Sequence, residues 1–123
     1  MQKILTGKQV KELDELYIQD SGITSYQLME RAANEFCGWY ATRFGPEKIT
    51  CIYCGTGNNG GDGLAIARIL AKKGYTVHIG LIGNTDKGSA DFLHNLKVLP
   101  EGINVNPWEN ANQADVIIDA VFG

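Results

Sequence analysis

Apolar residues recur at helical spacing near the start of the chain. Thr6 and Gln9 fit a capping box, in which two side chains each satisfy a backbone group at the beginning of a helix. Gly22 is a typical residue for the end of such a helix. The apolar side of this first predicted helix consists of Val10, Leu13, Leu16 and Tyr17.

A second capping box, formed by Thr24 and Gln27, predicts a longer helix. We expect this helix to end near Gly45 and Pro46, since proline cannot continue it. Its expected apolar face consists of Leu28, Ala32, Phe36, Trp39 and Tyr40. The first third of the chain therefore predicts a pair of helices.

From Lys48 onward, short β-prone runs alternate with helical patterns. Strands are predicted over residues 49–54, 76–82, 103–105 and 114–121, and helices over 64–73 and 89–99. Such alternation favours a parallel sheet with helices on both faces. We therefore expect an α/β fold, a Rossmann-like three-layer sandwich with a mostly parallel sheet and an N-terminal helical pair, formed as one domain over residues 1–123.

Composition narrows the class of protein. Hydrophobic residues make up 44% of the 123 residues, charged residues 20%, and the net charge is −3. No apolar run approaches the ~20 residues of a membrane span, and Lys and Arg are scattered, which argues against nucleic-acid binding. An odd count of 3 cysteines favours a reducing compartment, so we expect a cytoplasmic protein.

Glycine is concentrated in one segment. Five of the 15 glycines fall between Gly55 and Gly63, after a predicted strand and before a predicted helix. The segment satisfies G-x-G-x-x-G, but the acidic residue expected about 20 positions later in a dinucleotide site is absent, and no lysine follows as in a P-loop. Glycine backbone donors could hold a phosphate, while Asn58, Asn59 and Asp62 offer oxygen ligands to a hard cation.

A plainer interpretation is a tight turn. Asn58 or Asn59 would then adopt a left-handed conformation, and Asp62 would cap a helix that begins at Leu64. Asp119 is the second polar point, at the end of the last predicted strand, and should face the same sheet edge as the glycines. It too has a plainer interpretation, as a cap on a neighbouring loop.

Other residues carry weaker signals. Cys51 and Cys54 form a C-x-x-C pattern, but residues three apart on a strand point to opposite faces, so packing is favoured over a metal site. Neither His78 nor His94 has a partner motif. The aromatic residues of the second predicted helix indicate either ordinary core or the surface of a homodimer: Trp39, Tyr40 and Phe44.

At these residues the sequence resembles the YjeF N-terminal domain family, the NAD(P)H-hydrate epimerases. The glycine segment Gly55–Gly63 carries most of the resemblance, because a double asparagine between glycines is rare. It is supported by the Asp119-Ala120-Val121-Phe122-Gly123 run, by Leu28-Met29-Glu30 with Ala32-Ala33, and by Leu64 with Ala67-Arg68.

The resemblance implies a function and a site. Family members interconvert the R and S epimers of NADH and NADPH hydrated at C6 of the nicotinamide ring, and they bind potassium. Carried over, the substrate-binding residues are Asn58, Asn59, Gly60, Gly61, Asp62 and Gly123, and the potassium ligands are Asn59 and Asp119. No residue is assigned as the catalytic acid or base. In many bacteria the domain is fused to a dehydratase, so a fused or separate dehydratase is an expected partner.

The resemblance also predicts the length of the complete domain, and two alternative functions stay open beside it. The family's domain continues beyond the position of Gly123, so we expect this chain to be incomplete at its C-terminus, which puts its activity alone in doubt. One rival is a non-catalytic interaction module, as found in an mRNA-decapping scaffold protein. The other is an ordinary NAD-binding domain, which the missing ribose-binding acid disfavours.

Overall fold

The computed structural model describes residues 24–106 and 113–121. The first predicted helix therefore lies outside the described residues. In the order of the chain, the elements are α1 (Ser25–Arg43), β1 (Ile49–Cys54), α2 (Asn58–Lys72), β2 (Thr76–Leu81), a short 3-10 helix (Thr85–Lys87), α3 (Ala90–Lys97), β3 (Asn104–Asn106) and β4 (Val116–Ala120).

The capping box at Thr24 is confirmed. The Oγ1 atom of Thr24 accepts from the Gln27 backbone N–H at 3.1 Å, and the Gln27 side chain accepts from the Thr24 N–H at 3.1 Å. Helix α1 ends at Arg43, just before Gly45 and Pro46. The predicted helix and both of its ends therefore hold to within a few residues.

The predicted apolar face of α1 was partly wrong. The buried residues are Leu28, Met29, Ala33, Cys37 and Tyr40, so the buried stripe runs through Met29, Ala33 and Cys37 rather than Ala32 and Phe36. Trp39, which was placed on that face, is 44% exposed. Both stripes satisfy helical spacing in the sequence, and only contact with α2 decides between them.

The sheet is parallel throughout its described strands, as predicted, and its strand order is β3-β2-β1-β4. Strand β1 is central, and its residues Ile52 and Cys54 lie in register with Ile118 and Ala120 of β4. The α/β fold class is thereby confirmed. The strands begin and end within two residues of the predicted positions.

The core lies between the sheet and α2. Ile52, Cys54, Ile79 and Ile118 point toward this helix and are almost completely buried. Helix α2 contacts β1, β2 and β4, and α1 and α3 pack against α2. A buried pair joins α1 to the start of β1, because the Tyr40 hydroxyl and Thr50 Oγ1 are 2.5 Å apart.

Candidate functional site

The candidate site lies where the strand order changes direction. From β1 the chain continues to β2 on one side, while β4 lies on the other side of β1. In open α/β sheets, ligands bind in the crevice outside the carboxyl ends of the strands at such a switch point. The glycine segment follows β1 and Asp119 lies near the end of β4, so the topology brings both predicted polar points to one edge.

Backbone hydrogen bonds fix the glycine segment on two sides. The Gly55 N–H donates to the Ala120 carbonyl of β4 at 3.1 Å. On the other side, the Ser89 N–H donates to the Thr56 carbonyl at 2.9 Å, which joins the segment to the start of α3. The chain after β1 is therefore held between the end of β4 and the beginning of α3.

The second half of the glycine segment is helical, not a loop. Helix α2 begins at Asn58, six residues before the predicted start at Leu64. In the described ranges, the only positive φ angles belong to Gly74 (95°) and Gly83 (115°), so the proposed left-handed asparagine is wrong. Asp62 lies inside the helix, and its predicted role as an N-terminal cap is wrong too.

Close packing requires two glycines of α2 and is tight around a third. A Cβ on Gly60 would lie 1.7 Å from the Gly55 carbonyl oxygen, and one on Gly63 would lie 2.7 Å from Cys54 Sγ. A Cβ on Gly61 would lie 3.2 Å from the backbone nitrogen of Phe92 in α3. Glycine costs roughly 1 kcal/mol relative to alanine in a helix, so tertiary contact overrides propensity here. These glycines therefore have a structural reason to be present, independent of any ligand.

Two polar side chains are buried in this glycine-rich turn. Asn59 is 4% exposed and Asp62 is 3% exposed, whereas Asn58 is exposed to solvent. The Asn59 Oδ1 atom has no hydrogen-bond partner among the described residues. A buried amide oxygen without a partner costs roughly 1–3 kcal/mol, so its retention points to a ligand that supplies the missing interaction.

The amino end of α2 offers further donors. Gly57 is the residue before the helix and has no side chain. Within the described part of the chain, no side chain caps the first N–H groups of α2. No acidic residue lies in the first turn. Uncapped N–H groups and the positive end of the helix dipole favour an anion such as a phosphate.

Asp119 lies at the other side of the switch point. It is opposite Tyr53 in the register of β1 and β4, and it is partly buried. Its Oδ1 atom accepts from the Val121 N–H at 3.1 Å, which agrees with the plainer interpretation as a local cap. Gly123, predicted to bind substrate, lies outside the described residues.

The donor set suits a cation that prefers oxygen ligands. Asn59 and Asp119 provide an amide oxygen and a carboxylate, and neither is a soft ligand. The described residues contain no group of three or more His, Cys, Asp or Glu side chains arranged to hold a metal ion. Any cation held by these two side chains would therefore be coordinated through oxygen.

The predicted buried packing of Cys51 and Cys54 is confirmed, and each histidine contacts a neighbouring side chain. Cys51 and Cys54 are both buried and free, and Cys54 faces α2. Burial raises the pKa of the Cys54 thiol, and the nearby Cys51 and Asp62 raise this pKa further. His78 contacts the Asn104 side chain at 3.3 Å, and His94 packs edge-on against Tyr26.

Sequence reasoning missed the part that α3 plays in shaping the site. The Ser89 hydroxyl accepts from the Phe92 N–H at 3.1 Å and starts α3, which places the Phe92 ring 3.2 Å from the Cβ position of Gly60. Phe92 is completely buried. A serine three residues before an aromatic residue is the only signal in the sequence, and it indicates a helix start rather than a site.

Comparison with known families gives one match over most of the chain. A family described as "YjeF-related protein N-terminus" matches residues 25–123. This range contains the glycine segment and the run over residues 119–123.

Several named proteins are similar to this chain. It is 36% identical over 129 residues to an NAD(P)H-hydrate epimerase from Lentilactobacillus buchneri, an alignment that covers 100% of this chain and 59% of that protein. It is 37% identical over 98 residues to the bifunctional NAD(P)H-hydrate repair enzyme Nnr of Salinibacter ruber, covering 78% of this chain and 18% of Nnr. The chain thus spans about three-fifths of the length of the epimerase.

A solved structure has the same fold. The crystal structure of yeast ynu0, YNL200c, superposes with a TM-score of 0.69 at 25% sequence identity. The match covers 99% of this chain and 57% of the yeast chain.

No helix among the described residues is long and apolar enough to cross a membrane.

Proposed function

Because the chain belongs to the family of YjeF-related protein N-termini, we propose that it acts in the epimerisation of hydrated NADH and NADPH. The substrate would be the dinucleotide hydrated at C6 of the nicotinamide ring, and the reaction would interconvert its R and S forms. The names of the similar proteins support this activity. The structural observation that carries the proposal is the buried, unpartnered Oδ1 of Asn59 beside an uncapped helix start at the switch point.

The proposed substrate contacts lie at the first turns of α2. Asn58, Asn59, Gly60, Gly61 and Asp62 would line the site, with Gly123 contributing from beyond the described residues. The uncapped N–H groups of α2 suit the pyrophosphate of a dinucleotide. Gly60 and Gly61 would contribute backbone groups only, since the space at their Cβ positions is filled by Gly55 and by α3.

We also propose that potassium binds between Asn59 and Asp119. The unpartnered oxygen of Asn59 and the carboxylate of Asp119 supply the oxygen ligands that such an ion prefers. A bound cation would orient the substrate and offset its negative charge. Asp119 would then be a poor free base, because its carboxylate would be engaged.

The reaction itself requires proton transfer at the C6 hydroxyl. Either this hydroxyl leaves and returns on the other face, or the ring opens at C6 and closes again. Both routes change the charge near the ring nitrogen and need a positioned acid or base. Asp62 is the buried carboxyl group of the described site, and its role could be proton transfer or orientation of the substrate. We assign no catalytic residue.

The proposal extends to organisation and partners. Residues 1–123 would belong to one domain of this type, and a dehydratase, fused or separate, would remove the hydrate. The bifunctional name of the Salinibacter protein supports such a pairing. The free thiols of Cys37, Cys51 and Cys54 support a cytoplasmic location. Tyr40 is completely buried and so cannot lie on a dimer surface, which limits the proposed homodimer face to Trp39 and the partly buried Phe44.

The test follows the conversion of chirally pure R-hydrate of NADH to the S form by chromatography. Two proteins are compared, this chain and this chain extended by the remaining C-terminal segment of the Lentilactobacillus relative, each in potassium and in sodium buffer. We expect the extended protein to equilibrate the epimers well above the spontaneous rate in potassium and more slowly in sodium.

Two results would overturn parts of this proposal. If neither protein exceeds the spontaneous rate while both remain folded, the epimerase activity is wrong and a non-catalytic binding module is favoured. If the rate is the same in potassium and sodium, the epimerase proposal stands and the potassium site is wrong.

A further inference from the structure

A cavity lies at the opposite end of the sheet from the glycine segment. Its volume is about 650 Å³, within the range of known small-molecule sites. It opens where α2 ends and where β2 and β3 begin, so it shares no lining residue with the site described above. The described residues that line it are Arg68, Ala71, Lys72, Tyr75, Thr76, Val77, His78, Pro100, Gly102, Ile103 and Asn104.

The charged groups of the lining are all basic. Arg68 and Lys72 are four residues apart on α2 and so lie on one face of the helix. No described carboxylate belongs to the lining. The Arg68 Nη2 donates to Glu30 of α1, which offsets the charge of Arg68. Among the described lining residues, Lys72 is therefore the cation without a counter-charge.

Arg68 also retains a donor that the described protein does not use. Its Nε atom is buried and has no hydrogen-bond partner in the described part of the chain. A buried guanidinium N–H without an acceptor is costly, more so than a neutral donor. An acceptor supplied by a ligand would satisfy it, and a carboxylate or phosphate oxygen would do so most strongly.

Part of the remaining wall is apolar and suits an organic group rather than a free ion. Val77 and Ile103 are buried, and Ala71 and Pro100 complete the apolar surface. Inorganic phosphate alone would leave most of a 650 Å³ space unfilled. Apolar walls with a few convergent polar groups are typical of sites for small organic molecules.

One feature of the cavity opposes an anion. The carboxyl end of α2 lies beside it and carries about half a negative charge. The Lys72 ammonium carries a full positive charge and sits in the last turn of the same helix, so it outweighs the helix end. The net charge at this end of the cavity therefore depends on Lys72, and a substitution of Lys72 tests the attraction for an anion.

We infer that this cavity is a second ligand site, which binds a small ring compound carrying a carboxylate or phosphate group. Lys72 and the Nε of Arg68 would hold the anionic group. The ring would lie against Val77 and Ile103. His78 and Asn104 would add polar contacts at the rim.

The experiment measures binding to the full chain by amide chemical-shift titration. The probes are benzoate, phenyl phosphate, the neutral isostere benzamide, and inorganic phosphate. The variant is Lys72→Gln, and its matched control is Lys97→Gln, an exposed lysine at the end of α3 outside the cavity. Both substitutions lie on the surface and leave the core intact.

We expect benzoate or phenyl phosphate to shift the amides of residues 102–104 and to bind more tightly than benzamide and than inorganic phosphate. Loss of one charge contact should raise the Kd about fivefold in Lys72→Gln and leave it unchanged in Lys97→Gln. The ratio between benzoate and phenyl phosphate identifies which anionic group the site prefers.

Three outcomes would overturn the inference: no shift with any ring probe at millimolar concentration, equal affinity for benzoate and benzamide, or equal loss of affinity in both lysine variants. Shifts confined to residues 55–63 would likewise contradict it, because they would assign the anion to the glycine segment.

Discussion

The two ends of α2 pack against their neighbours in opposite ways. At the amino end, three positions of α2 have no side chain. Because these residues are Gly60, Gly61 and Gly63, the helix backbone lies directly against β1, β4 and α3. At the carboxyl end, ordinary side chains meet imperfectly and leave a cavity of about 650 Å³. The first arrangement buries two polar side chains, and the second leaves a basic group facing open space.

This difference explains what a sequence can reveal. Where the helix backbone packs this closely, only glycine fits. The close packing is therefore visible in the sequence as a short glycine-rich run. A cavity is lined by residues common in any protein and spread from Arg68 to Asn104, so no local pattern marks it. Both ends of the helix are candidate binding sites, yet only one of them carries a motif.

The largest effect is expected from Gly60→Ala. The new methyl group would lie 1.7 Å from a backbone oxygen of Gly55, so helix and strand must separate. We expect a loss of stability on the order of 3 kcal/mol or more, at or above the upper end for overpacked cores. Urea unfolding followed by circular dichroism measures it, and an unchanged midpoint would contradict the packing role assigned to this glycine.

A smaller effect on stability is expected from a rise in pH, because the thiol of Cys37 is buried in the core. Burial raises the pKa of Cys37 from an ordinary value of 9.0 to about 12, and the nearby Lys73 charge opposes this rise. The folded state keeps the proton while the unfolded state loses it, so this contribution to stability is complete below pH 9 and is lost as pH rises toward 12.

Urea unfolding at pH 8 and pH 10 measures this dependence. We expect Cys37 to account for a decrease of about 1 kcal/mol in the free energy of unfolding over this interval. Cys37→Ala should reduce the pH dependence by that amount, although it lowers stability at both values. The same dependence in both proteins would show that Cys37 does not cause it.

The smallest effect, of opposite sign, is expected from Gly38→Ala. Gly38 lies within α1, is exposed, and has no atom within 4 Å of its Cβ position. Alanine should therefore stabilise the protein by roughly 0.5–1 kcal/mol through helix propensity. Urea unfolding of Gly38→Ala and Gly60→Ala compares the same change at an open and at a packed position of a helix. If Gly38→Ala also destabilised the protein, close packing would not explain the loss of stability at Gly60.

Much of the fold followed from local patterns. The capping box at Thr24 and the strand Ile49–Cys54 were predicted directly, since each depends on residues close in the chain. The start of α2 was missed by six residues, because glycine propensity argues against helix and only contact with Gly55 and α3 reverses it. The buried stripe of α1 was misplaced for a related reason, since its partner lies far away in sequence.

The candidate site was predicted in part. The shared edge of Asn59 and Asp119 was predicted from the parallel strands, whose carboxyl ends meet at one edge of the sheet. The structure adds the burial of Asn59 and its unpartnered oxygen, which depend on packing that no spacing rule encodes. Meanwhile the role of the glycines changed, because close packing explains three of them without a ligand.

The most direct test of the account is the epimerisation rate of an Asn59→Ala variant in the extended protein. Its control is Asn34→Ala, which changes an exposed asparagine on α1. With both variants folded, we expect Asn59→Ala to lose at least about tenfold in rate and most of the difference between potassium and sodium, by analogy with removal of a transition-state or ligand contact. Asn34→Ala should match the parent protein. A rate for Asn59→Ala equal to that of Asn34→Ala would contradict the claim that the buried amide oxygen of Asn59 belongs to the active site.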